Sequence, residues 1–122
     1  MGKRCLIIED EPVMQHLISA MVTRSGFEPL VASDAQQALR LAREAAFELA
    51  TFDLMLPEIS GLDLLQQFKA DPQLKDMPII IVSAAADQVE WDTARRLGAS
   101  AMLKKPFTLQ EMRDAIQKVT GG

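Results

Sequence analysis

Four clusters of reactive side chains each stand directly behind an apolar run. Glu9-Asp10-Glu11 follows CLII, Asp53 follows LATF, Ser83 follows PIIIV, and Lys104-Lys105-Pro106 follows AML. If those runs are strands of one sheet, three carboxylates, a hydroxyl and a lysine meet along one edge. Carboxylates so grouped repel, and either raise one another's pKa values or draw in a cation. A hard divalent ion that takes oxygen ligands and keeps several waters fits such a group, which describes Mg²⁺. A carboxylate beside Mg²⁺ and a lysine suits phosphoryl transfer, because both cations neutralise phosphoryl oxygens. The carboxylate can itself be the nucleophile and form an acyl phosphate. Asp53 is the best placed, since its strand lies between the acidic pair and Ser83. Taken singly, each residue has a plain structural role. Glu9 to Glu11 would favour a helix dipole, Asp53 can close a strand and open a turn, Ser83 can cap a helix, and Lys105 can be a surface lysine. Their joint position behind successive apolar runs favours chemistry.

The elements that must position these residues are legible as an alternation. Residues 4–8 predict a strand. Pro12 suits a first helical turn, with Met14, Leu17, Ile18, Met21 and Val22 at helical spacing and Gly26 as a stop. Residues 27–32 predict a second strand, followed by a helix capped by Ser33 or Asp34 with Ala35, Ala38, Leu39 and Ala42 on its apolar face. Residues 49–52 form a third strand ending at Asp53, followed by a loop with Pro57 and Gly61 and a helix carrying Leu62, Leu64, Leu65 and Phe68. Residues 78–82 form a fourth strand. A helix with Val89, Ala94 and Leu97 inward then closes at Gly98. Residues 101–103 form a fifth strand, and Thr108 caps a last helix with Met112, Ala115, Ile116 and Val119 inward.

Five strand–helix units in strict alternation imply parallel strands joined by right-handed crossovers. Near-continuous apolar runs indicate strands covered on both faces. The fold class is therefore α/β, a three-layer α/β/α sandwich around a doubly wound five-stranded parallel sheet. In such folds ligands bind at the carboxyl ends of the strands, where the reactive clusters lie.

Bulk properties narrow the field. The 122 residues suit one domain, and a net charge of -4 disfavours direct binding to nucleic acid or a membrane surface. Cys5 is the sole cysteine, so neither a disulfide nor a cysteine zinc site forms within the chain. A reducing, cytoplasmic setting follows as an expectation, and the first residues do not resemble a signal peptide. His16 reads as a surface residue, Cys5 as buried filler, and the seven methionines as core. Trp91 reads as core packing or, if exposed, as a partner anchor.

The segments LIIEDEP, FDLMLPEISG, IIIVSA and MLKKPF, in this order, resemble the receiver domain of two-component response regulators. The likeness covers residues 1–120, leaving Gly121 and Gly122 as a frayed end, a linker stub or an artificial boundary. It implies a flavodoxin-like sheet of order 2-1-3-4-5. It implies Asp53 as phosphoacceptor, Asp10 as a direct Mg²⁺ ligand, Glu9 acting through water, and the Met55 backbone carbonyl as a further ligand. Ser83 matches the hydroxyl residue that turns toward the phosphoryl group. Lys105 matches the site lysine, followed by a cis bond to Pro106. The donor implied is a sensor histidine kinase or phosphotransfer protein, with small acyl phosphates able to substitute. The target implied is a downstream protein or a fused output domain, reached through the face of the fourth helix, fifth strand and fifth helix. Such a domain is a switch rather than an enzyme, promoting its own phosphotransfer and a slow dephosphorylation.

Several positions depart from the family pattern. Met102 stands where many members carry Tyr or Phe. Ser100 and Ala101 stand where acidic residues support a phosphorylation-dependent dimer. Met55 and Ala85 occupy positions where polar groups often orient attacking water, so the acyl phosphate is expected to be comparatively long-lived. The alternatives are an aspartyl-phosphate phosphatase, disfavoured because Met55 stands where its general acid would be; a flavodoxin-like cofactor binder, disfavoured by the absence of a glycine-rich loop; and a docking-only pseudo-receiver, disfavoured by the complete acid, serine and lysine set.

Overall fold

A computed structural model describes residues 2–84 and 87–121. Strands and helices alternate throughout: β1 Lys3–Ile8, α1 Pro12–Arg24, β2 Phe27–Ala32, α2 Ala35–Glu44, β3 Leu49–Asp53, α3 Gly61–Ala70, β4 Ile79–Ser83, α4 Gln88–Arg96, β5 Ala101–Lys104 and α5 Leu109–Thr120. The strands form one parallel sheet in the order β2-β1-β3-β4-β5. Both the fold class and the strand order thus match the expectation from sequence.

Alternate residues of each central strand face opposite layers, as the period of two requires. Leu6, Ile8, Ala50, Phe52, Ile79 and Ile81 pack with α2 and α3. Cys5, Ile7, Leu49, Ile80 and Val82 pack with α1 and α5. Phe52 and Phe68 meet edge to face with ring centres 4.8 Å apart, binding α3 to β3. Such a pair adds about 0.5–1.5 kcal/mol beyond its buried area.

Helices α2 to α5 start at side chains that satisfy unpaired N–H groups of the first turn, whereas α1 starts at Pro12 without a side-chain cap. Asp34 rather than Ser33 caps α2, accepting from Gln37 N at 2.8 Å, and Ser60 accepts from Leu62 N at 3.0 Å. Asp87 with Glu90 and Thr108 with Glu111 form reciprocal capping boxes at α4 and α5. Ser83 ends a strand, and the α4 cap is Asp87.

The structure shifts three local expectations. The fourth strand runs 79–83 rather than 78–82: Pro78 has no N–H for the ladder, although its carbonyl still accepts from Ala50 N at 3.0 Å. Gly61 opens α3 instead of closing the preceding loop. Val89 points to solvent, 70% exposed, so α4 is anchored by buried Ala94 with half-buried Trp91 and Leu97. Periodicity over a nine-residue helix leaves an apolar residue at its start free to face either way.

Candidate functional site

The site is built where three neighbouring strands end together. β1 is held between β2 and β3, and Ile8 to Phe52 is its last register pair with β3. One residue on, Glu9 N still donates to Ala32 O at 3.1 Å, so the acidic pair leaves the sheet from a fixed backbone. Gln15, on the first turn of α1, donates to the Glu9 carbonyl at 2.6 Å. The Glu9 side chain is buried at 1% exposure, while Asp10 is exposed.

Asp53 is the last residue of β3 and is 5% exposed. Its Oδ1 accepts from Met55 N at 2.9 Å. The turn behind it is closed by Gly61 N donating to Leu54 O at 2.8 Å. A side chain at position 61 would collide with the Asp53 carbonyl and come within 2.7 Å of Leu54 Cα, so glycine is what lets α3 start against the backbone of Asp53. From sequence Gly61 reads as a loop residue, and the only mark of its role is a glycine immediately before a helix-period run. Gln15 left no comparable trace.

Asp53 pairs with Val82, which sets Ser83 one residue further along the adjacent strand, fully buried. The Ser83 carbonyl accepts from Lys105 N at 2.9 Å, tying the β5 exit to the β4 exit. The Lys105–Pro106 bond is cis. Of the two adjacent lysines, Lys104 is exposed, whereas Lys105 Nζ donates to Glu9 Oε1 and to Asp53 Oδ2, each at 3.0 Å.

The electrostatics follow from these contacts. Burial pushes the Glu9 carboxyl above its ordinary range, and the nearby Asp53 charge pushes the same way, against the opposing hydrogen bond from Lys105. Burial pulls the Lys105 ammonium down, but its hydrogen bonds to Glu9 and Asp53 outweigh this and hold it above its ordinary value. One ammonium thus pairs with two carboxylates, Glu9 and Asp53. Glu9, Asp10 and Asp53 each offer an oxygen within 4.8 Å of the others. This all-oxygen set, with one exposed member open to water, fits a hard divalent cation such as Mg²⁺. The structure therefore brings Glu9, Asp10, Asp53, Ser83 and Lys105 to one edge. Met55 lies on the same loop, with its side chain 62% exposed. Ala85 lies outside the described residues.

Other singled-out residues stay apart from this chemistry. His16 is exposed on α1. Cys5 is fully buried, and burial raises its thiol far above the range of a reactive thiolate. Trp91 is half-buried and lines a cavity of about 210 Å³ with Gln88, Arg95, Met102 and Lys104. Among the described residues no helix is long and apolar enough to cross a membrane.

Known proteins resemble this chain in sequence and in fold. The response regulator receiver domain profile matches residues 5–117. A probable chemotaxis protein CheY of Rhizobium etli is 32% identical over 119 residues, covering 97% of this chain and 92% of that protein. The polar-differentiation response regulator DivK of Brucella anthropi is 31% identical over 121 residues, covering 99% and 98%. In structure, a putative response regulator of Chloroflexus aurantiacus matches with a TM-score of 0.93 over all of both chains; at 23% identity this likeness speaks to fold alone. The receiver domain of the Pseudomonas aeruginosa sensor histidine kinase PA1611, which has magnesium coordinated in its active site cleft, matches with a TM-score of 0.89 and 29% identity over all of both chains.

Proposed function

The chain belongs to the response regulator receiver family, the phosphorylation-dependent switches of two-component signalling, and on that premise we propose that Asp53 is its phosphoacceptor. The observation that carries this assignment is the buried Asp53 carboxylate held by Lys105 Nζ and Met55 N at the carboxyl edge of the sheet. In the reaction an Asp53 oxygen bonds to phosphorus as the donor's bond to that phosphorus breaks, leaving an acyl phosphate. Lys105, already poised between Glu9 and Asp53, pairs with a phosphoryl oxygen, and Ser83 offers its hydroxyl to another. Glu9, Asp10, Asp53 and the Met55 carbonyl would hold Mg²⁺, which when bound supplies further positive charge for the phosphoryl oxygens. Residues 1–120 form the receiver unit in this reading, acting in the cytoplasm without direct contact to nucleic acid or membrane.

The surface supports a protein as phosphodonor. Val13 and Leu17 lie on the first turns of α1, Met55 lies two residues past Asp53, and Val89 lies on the first turn of α4; these are the large apolar side chains exposed among the described residues. All four lie in the segments that follow β1, β3 and β4, the strands whose ends carry Glu9, Asp53 and Ser83. An apolar rim about a charged centre suits a folded partner such as a histidine kinase or phosphotransfer protein. The output side is the face of α4, β5 and α5, where Trp91 and Met102 line one cavity. A downstream protein or fused output domain would read that face.

Acetyl phosphate with Mg²⁺ should label the protein once, and Asp53→Ala should not be labelled. After donor removal the label should decay slowly, and Met55→Asn should shorten its life. Stoichiometric labelling of Asp53→Ala would overturn the assignment. Rapid decay in the wild type, unchanged by Met55→Asn, would overturn the slow dephosphorylation.

A further inference from the structure

We infer that a basic concavity at the amino-terminal edge of the sheet binds a soluble polyvalent phosphate anion. The concavity encloses about 430 Å³ and is lined by Lys3, Arg24 and Arg113, with Gln117 beside them. No carboxylate lines it, although the chain carries 17 acidic against 13 basic side chains. None of the three cations belongs to an ion pair found among the described residues. The site is remote from Asp53. Lys3 begins β1 and Glu9 follows its end, and six strand residues at ~3.3 Å each separate the two poles by about 20 Å.

Helix ends alone do not account for this grouping. Cations favour helix carboxyl termini, and Arg24 is the last residue of α1. Lys3, however, opens a strand, and Arg113 lies in the first half of α5. Arg113 reaches across to donate to the Arg24 backbone carbonyl at 3.2 Å, which fixes its guanidinium at the end of α1 and leaves its other N–H groups available. Lys3 is held over the Phe27 ring at 5.8 Å. Arg113 and Lys3 are thereby positioned by contacts that do not neutralise them, and Arg24 lines the same concavity. Two guanidinium forks suit the paired oxygens of phosphate groups, and three positive charges suit an anion with more than one such group.

The test is a titration of the full chain, followed by amide NMR shifts, with inorganic pyrophosphate in Mg²⁺-free buffer and with sulfate in parallel. Saturable shifts should appear at residues 24–27 and 113–120 and not around Glu9 and Asp53. Pyrophosphate should bind more tightly than sulfate. Arg24→Gln with Arg113→Gln should weaken it by about tenfold or more, as loss of charged hydrogen bonds implies. The same variant should accept phosphate from acetyl phosphate at the wild-type rate, which shows that it folds. Non-saturating shifts, equal binding by the variant, equal binding of sulfate, or shifts centred on Asp53 would each refute the site. Binding to phosphatidylglycerol vesicles without any response to pyrophosphate would assign the patch to a membrane surface and would refute it too.

Discussion

Lys105 Nζ lies 3.0 Å from Asp53 Oδ2, joining the exit of β5 to the exit of β3 across the intervening end of β4. The same ammonium also holds Glu9, so it is the only cation within ion-pair distance of the acidic cluster among the described residues. Lys105→Met leaves the carboxylates facing one another. Without metal, urea unfolding should show a loss of about 3–5 kcal/mol, the cost of removing one partner from a buried ion pair. Mg²⁺ should then stabilise the variant more than the wild type. Equal stabilisation of the two proteins by Mg²⁺ would mean that lysine and metal do not share these carboxylates.

Gly61→Ala tests how α3 supports the nucleophile. The added methyl meets the Asp53 carbonyl and Leu54 Cα, both backbone atoms that side-chain rotation cannot move away. The helix must shift, at a cost of about 1–3 kcal/mol typical of overpacking. Labelling by acetyl phosphate should slow as the Asp53 carboxylate loses its alignment with Lys105. Unchanged stability and labelling would show that the loop yields without strain.

Thr51 is fully buried on β3 between Ile7 and Ile80, and its Oγ1 finds no hydrogen-bond partner among the described residues. A buried unsatisfied hydroxyl costs about 1–3 kcal/mol. Thr51→Val keeps the branched shape and removes the hydroxyl, so the variant should unfold at higher urea. A destabilised variant would reveal a partner for Oγ1.

Asp71 links the end of α3 to α2. It accepts from Gln73 N at 2.8 Å and pairs with Arg43 Nε at 3.1 Å, and both hold its carboxyl below the ordinary range. A carboxyl lowered on folding contributes stability that is present above its unfolded pKa and lost as pH falls through the lowered folded value. Asp71→Asn should therefore be less stable than wild type at neutral pH, and the two curves should converge in acid. A difference that persists at low pH would place the effect in packing rather than charge.

The candidate residues were legible because each stands where a strand ends, and a strand end is marked by a short apolar run meeting a charge or a hydroxyl. Asp53 behind LATF and Ser83 behind PIIIV could be placed without a partner in view. What stayed hidden depended on three-dimensional approach. Gly61 is special because of the Asp53 backbone it touches, and Val89 turns outward because α4 needs little more than Ala94 to anchor it. The charge balance around Lys105 likewise required knowing that a side chain from β5 reaches two carboxylates from β1 and β3.

The central claim is most directly tested by locating the phosphoryl group. The protein should be incubated with acetyl phosphate and Mg²⁺, and the acyl phosphate trapped by borohydride reduction and mapped by peptide mass spectrometry. The modification should fall on Asp53 alone and should disappear when EDTA replaces Mg²⁺. Modification at Asp10, Ser83 or His16 instead, or at Asp53 independently of metal, would contradict the site described.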